Sequence, residues 1–259
     1  MKRNRNHTAS DLKKALRYGC CLLLTYAVVP NATAEIRKLS DSKSTSLVEV
    51  EMVAQQFLKI NKERKRNGYH LVDLQAYAAG VRIKYAAVWG EKGSKVIQRS
   101  TLKLGLKQRE LLSHDSRLRK QGYALQRLGS VSFNGELRYF AEWYRTTRGD
   151  SNLQHVEYGV DRTAFEKLDD LYKKSGFELR SFDVVWHLKR PRYSGVWSEG
   201  ERSSQAVKYD IPEGMLQQHL DRMQNNGFRL QILRSHLLPS NNPQTFYSGV
   251  WKKSPVAPR

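Results

Sequence analysis

Tyr85-Ala86-Ala87-Val88-Trp89 decides how this chain is read, because it returns as Tyr139-Phe140-Ala141-Glu142-Trp143, Tyr193-Ser194-Gly195-Val196-Trp197 and Tyr247-Ser248-Gly249-Val250-Trp251. Each tryptophan follows the last by 54 residues. Tyrosine, a small residue and tryptophan alternate along each copy, which sets all three on one face of a strand. A fixed period of this length marks a repeat architecture.

Working outward, a second anchor lies 21 residues before the tryptophan in three copies and 24 in the fourth: Gly68-Tyr69, Gly122-Tyr123, Gly176-Phe177 and Gly227-Phe228. Leucine follows two places on, at Leu71, Leu125, Leu179 and Leu230. Upstream of each glycine the apolar residues keep helical spacing around Phe57, Leu111, Phe165 and Leu216, which predicts amphipathic helices of about four turns. Thr163 with Glu166 and Asp210 with Glu213 have capping-box spacing, and Pro212 suits a first turn. The recurring glycine then supplies the left-handed residue with which a helix ends. Earlier still come strand-like pairs, Val48 and Val50, Leu102 and Leu104, Val156 and Tyr158, Val207 and Tyr209.

The unit is therefore strand A, helix, strand B, strand C. Asn134-Gly135 is a hairpin signal between B and C. Polar, Gly-bearing stretches between C and the next A suggest that B, C and the following A form one antiparallel meander. On that phase the first A and the last B and C are left over, and pairing them would close a ring and remove open edges. The expected fold is α+β: four tandem β-α-β-β repeats in a propeller-like ring or horseshoe, with helices outside three-stranded antiparallel sheets. The boundaries read as a leader over 1–34, a linker over 35–46, repeats over 47–89, 90–143, 144–197 and 198–251, and a tail over 252–259.

The leader reading rests on a basic start, an apolar run from Tyr18 to Val29, and Ala32-Thr33-Ala34 as a cleavage site. It predicts a secreted or periplasmic protein without a transmembrane segment in its mature part. Both cysteines, Cys20 and Cys21, fall inside the leader, so disulfide, zinc-cage and cysteine-nucleophile chemistry drop out of the mature chain. The whole chain carries 45 Lys and Arg against 25 Asp and Glu, a net charge of +20. That excess favours anionic partners, an envelope or extracellular glycan, a wall polymer or an acidic protein, with nucleic acid the poorer fit outside the cytoplasm.

Asn67-Gly68-Tyr69-His70-Leu71-Val72-Asp73-Leu74 with Arg82-Ile83-Lys84-Tyr85-Ala86-Ala87-Val88-Trp89 resembles the bacterial tandem-repeat modules of polyglycine hydrolase-like proteins, and the likeness runs over about residues 47–251. In that family such repeats accompany a serine hydrolase domain similar to β-lactamases. The resemblance implies association with extracellular hydrolysis, while leaving no room here for that catalytic domain.

The residues themselves offer little chemistry. Ser40-Asp41-Ser42-Lys43 matches a Ser-x-x-Lys nucleophile only formally, in a polar linker. No Gly-x-Ser-x-Gly, His-Glu-x-x-His or phosphate-loop motif occurs. No catalytic residue, metal ligand or cofactor is assigned. His114 and His219 share one helix position; a metal or acid–base pair is conceivable there, and a residue at the core margin is the plainer reading. Lys84, Arg138 and Arg192 precede the repeat tyrosine, replaced by Phe246 in the last copy. They form either a row of cations facing an anionic ligand or ordinary surface charge. Trp186 breaks the period beside His187, Arg190 and Arg192. It is either an anchor for a sugar or protein partner or a local core plug. The expectation is a non-catalytic binding module, with an extracellular hydrolase or its accessory subunit as the alternative.

Overall fold

A computed structural model describes residues 46–91, 99–146, 153–200, 204–238 and 244–253. The leader, the Ser40–Lys43 motif and all of the linker except Ser46 lie outside these residues. Repeat 1 comprises β1 (Ser46–Met52), α1 (Ala54–Arg66), β2 (Tyr69–Ala79) and β3 (Arg82–Glu91). Repeat 2 comprises β4 (Ser100–Leu106), α2 (Gln108–Lys120), β5 (Tyr123–Phe133) and β6 (Glu136–Arg145). Repeat 3 has β7 (Gln154–Val160), α3 (Arg162–Lys174), β8 (Phe177–His187) and β9 (Arg190–Glu199). Repeat 4 has β10 (Gln205–Pro212), a 3-10 turn (Glu213–Met215), α4 (Leu216–Asn225), β11 (Phe228–Leu238) and β12 (Gln244–Lys253).

The sheets correct the expected pairing. Strand C lies between A and B of its own repeat, in the orders β1-β3-β2, β4-β6-β5, β7-β9-β8 and β10-β12-β11, and every described pair is antiparallel. The helix carries the chain from A to a parallel B two strand positions away, and C folds back by a hairpin into the gap between them. The following A belongs to the next sheet. Among the described residues no strand is left over at either end, so the expected reason for ring closure, an unpaired first A and last B and C, does not hold.

Capping differs as well. Asp161 caps α3 by accepting the Ala164 amide at 2.8 Å, so Thr163 is not the cap. Asp210 is no cap either: with φ +50° it lies in strand β10 at the position of Glu51, Gly105 and Gly159, all left-handed. Each forms a bulge where strand A slips register against strand C. The helix-ending glycines are left-handed as expected, with φ between +78° and +89° at Gly68, Gly122, Gly176 and Gly227.

The apolar face of each helix seals strand C of its own sheet. Phe57, Leu111 and Phe165 are fully buried against the repeat tyrosine and tryptophan. Each buried indole also needs an acceptor. Trp89 donates to Asn61 at 3.0 Å, Trp143 to Asp115 at 2.8 Å and Trp197 to Asp169 at 3.0 Å, all from one helix position. The other side of each of these three cores is closed by the reverse face of the next sheet. Phe140, Leu102 and Leu104 of repeat 2 pack into the core of repeat 1. Phe140 fits because position 129 is glycine; a Cβ there would stand 2.0 Å from its ring.

The B strands pack in succession, β2 on β5, β5 on β8 and β8 on β11. Polar side chains join them. Arg127 Nη2 donates to the Leu71 and Val72 carbonyls at 3.1 and 2.9 Å. Ser181 Oγ accepts the Leu128 amide and donates to its carbonyl, and the Ser130 amide and hydroxyl both reach Asp183 at 2.6 Å. Arg234 of repeat 4 then grips Asp73 of repeat 1 with two bonds, 2.8 and 3.1 Å, so the first and fourth repeats touch.

Candidate functional site

The B–C hairpins put four of the six expected site residues at one turn. In repeat 2 the turn is Asn134-Gly135, left-handed at both residues and made of the types that tolerate it. In repeat 3 the equivalent pair is Leu188-Lys189, with φ +47° and +64°, a conformation costing about 1–2 kcal/mol per non-glycine residue. Leu188 is 66% exposed at the tip. Lys189 and Arg190 beside it are exposed and have no ion-pair partner among the described residues.

Trp186 stands just behind this tip at the end of β8, opposite Pro191. Most of its surface is covered and a part stays exposed. Its ring stacks on His236 at 6.0 Å and 9°, and His236 in turn stacks on Phe246 at 5.8 Å and 18°. Trp186 is thus both partly accessible and built into the repeat 3–repeat 4 contact. Burial holds His236 below the ordinary histidine pKa, against the pull of Asp210. Its Nε2 lies 3.7 Å from Asp210 Oδ1, and its Nδ1 is buried without a hydrogen-bond partner.

Asp210 is held from several sides. Tyr193 donates its hydroxyl at 2.7 Å, Arg162 Nη1 lies at 3.2 Å, and the Asp210 amide donates to Ser248 Oγ at 3.1 Å. Burial, then this carboxylate, raises the Tyr193 pKa beyond the usual phenol range. A neutral imidazole wedged between two rings and too far from the carboxylate for a hydrogen bond is arranged for packing. It offers no open side to a reacting group.

His187 is buried, with Nδ1 2.9 Å from Ser132 Oγ of repeat 2, and both burial and Arg192 lower its pKa. Arg192 is half-buried and has no ion-pair partner among the described residues. Lys84 and Arg138 occupy the same position on sheets 1 and 2, where Lys84 donates to the Glu51 carbonyl at 3.0 Å and Arg138 pairs with Glu136 at 2.7 Å. Each of these two is engaged locally on its own sheet. His114 bonds Arg117 of its own helix at 3.0 Å, and His219 belongs to α4. Among the described residues no three His, Cys, Asp or Glu side chains gather as a metal site would require, and no helix is long and apolar enough to cross a membrane.

Sequence reading missed His236 as the stacking partner of Trp186, and Phe246 and Asp210 as the groups against His236. One signal was available for Asp210: its phase is shared with Gly105 and Gly159, and glycine alternating with an acidic residue suggests a left-handed position.

Comparison with known proteins follows the same units. The family model described as polyglycine hydrolase-like, structural repeat, matches residues 48–92, 153–200 and 204–254. No curated protein matches the chain. Repeat 2 falls between the matched segments and departs from the others where Phe140 and Glu142 replace small residues and valine, yet it has the same four elements. With more than half its residues covered by repeats of this kind, the chain belongs to the polyglycine hydrolase-like structural repeat family.

Proposed function

We propose that this protein is an exported, non-catalytic binding module that takes an anionic wall polymer, glycan or protein partner at the β8–β9 turn. The reading is carried by that turn: Lys189 and Arg190 are exposed beside a mostly covered, partly accessible Trp186, on a backbone conformation that neither turn residue favours. Strain of this kind persists where surrounding structure enforces it, and it clusters at binding sites. The large aromatics of the repeats support the same view from the other side, since the four repeat tryptophans are spent on the cores.

The proposal includes a propeller-like ring, in which the four B strands surround a polar centre and the Arg234–Asp73 pair completes the circuit. Sedimentation of the purified full chain with peptidoglycan, an acidic polysaccharide and envelope proteins at moderate salt tests the binding. Retention should fall about tenfold, roughly 1.4 kcal/mol, in the double variant Lys189→Glu/Arg190→Glu. Equal retention of the variant, or none of the wild type, would contradict it. Labelling by a serine-reactive probe would point instead to the hydrolase reading.

A further inference from the structure

Three contacts between neighbouring repeats are built alike. The reverse face of each following sheet closes the core before it: Phe140, Leu102 and Leu104 on repeat 1; Val196, Val156 and Tyr158 on repeat 2; Val250, Val207 and Tyr209 on repeat 3. The contact of repeat 4 with repeat 1 differs. Among the described residues, the core cluster of repeat 4 around Leu233 and Trp251 includes no side chain from repeat 1. The reverse face of sheet 1, with Val48, Val50, Val72, Ala86 and Val88, forms a cluster of its own. Leu216 and Leu230 are half-buried where their counterparts Leu111 and Leu125 are sealed.

A second difference lies in connectivity. The other three pairs are consecutive in the chain, so a short connector holds each together at high effective concentration. Repeats 4 and 1 have no such tie, and the residues that join them, Arg234 and Asp73, are 161 positions apart. A contact free of any connector can be exchanged between molecules without disturbing the rest of the fold.

We propose that repeats 4 and 1 form an exchangeable seam: the reverse face of sheet 1 in one copy docks on the repeat 4 core of a second copy, and the Arg234–Asp73 pair is the latch that keeps the contact within one chain. The partner is a second copy because the two surfaces occupy the positions that already fit one another at the three inner contacts. The contact is heterologous, so two opened chains close reciprocally into a dimer and more than two extend head to tail. The inference rests on repeat 4 lying against repeat 1 and is independent of the anionic partner.

Light scattering on the full chain over a range of concentrations tests it, with circular dichroism to follow folding. Asp73→Asn removes the charge from the latch and should raise the associated fraction at a given concentration about tenfold. Adding Val50→Lys, which puts a charge on the docking face, should return the protein to monomer. An Asp73→Asn chain that is folded and monomeric throughout, or that associates regardless of Val50→Lys, overturns the proposal. Should Asp73→Asn not fold, the wild type at high concentration decides: association abolished by Val50→Lys supports the seam, and a monomer at every concentration overturns it.

Discussion

Trp143 is fully buried and still keeps its one polar hydrogen occupied, by Asp115. Replacing Asp115 with leucine leaves that indole unsatisfied and should cost about 1–3 kcal/mol in urea unfolding. Repeat 4 sets the comparison, because Leu220 stands at the same position there. Asp183 makes a pH prediction. Burial raises its carboxyl from 3.8 to about 6, with Arg234 and the Ser130 donors pulling the other way. The folded state therefore holds this proton more tightly than the unfolded chain does. Its contribution to stability is complete below 3.8 and is lost as pH rises through about 6. Asp183→Asn cannot titrate, so relative to the wild type it should fare better at about pH 7.5 than at about pH 4.5. Unfolding at the two pH values checks this, and an unchanged difference would contradict the assignment.

Among the elements, the helices were the most legible, since the period of Phe57, Leu111 and Phe165 and the glycine after each helix say where it begins to pack and where it stops. Strand order was not legible. A 54-residue period states that A, B and C recur, but the same alternation suits an A strand in its own sheet or in the next one. The decision lies in the crossover geometry, which leaves no mark on the pattern. For the site, Trp186 was visible as a break in the period, while its stacking partner was hidden: His236 sits in another repeat and at the phase of Val131 and Val185. Helix ends supply a further prediction. Gly122 has φ +79° and open space around it, so Gly122→Val should destabilise through backbone conformation alone, by at least about 1–2 kcal/mol in thermal or urea unfolding.

At the scale of the whole molecule, the cores differ in how well they are enclosed. Leu111 and Leu216 share one helix position, the first with no exposed surface and the second half-buried. Leu111→Ala should cost about 2–5 kcal/mol, and Leu216→Ala distinctly less; calorimetry on the two variants gives the comparison. Equal costs would mean that repeat 4 is as tightly enclosed as repeat 2 and would contradict the comparison. The shared cores also limit how such a protein can change length. Deleting the second unit would bring the socket lined by Phe57 and Trp89 against Ser194 and Val196 in place of Phe140 and Glu142, and Lys65 would lose the carboxylate it now binds. The units are therefore not interchangeable beads: gaining or losing one means recutting both of the surfaces it stood between.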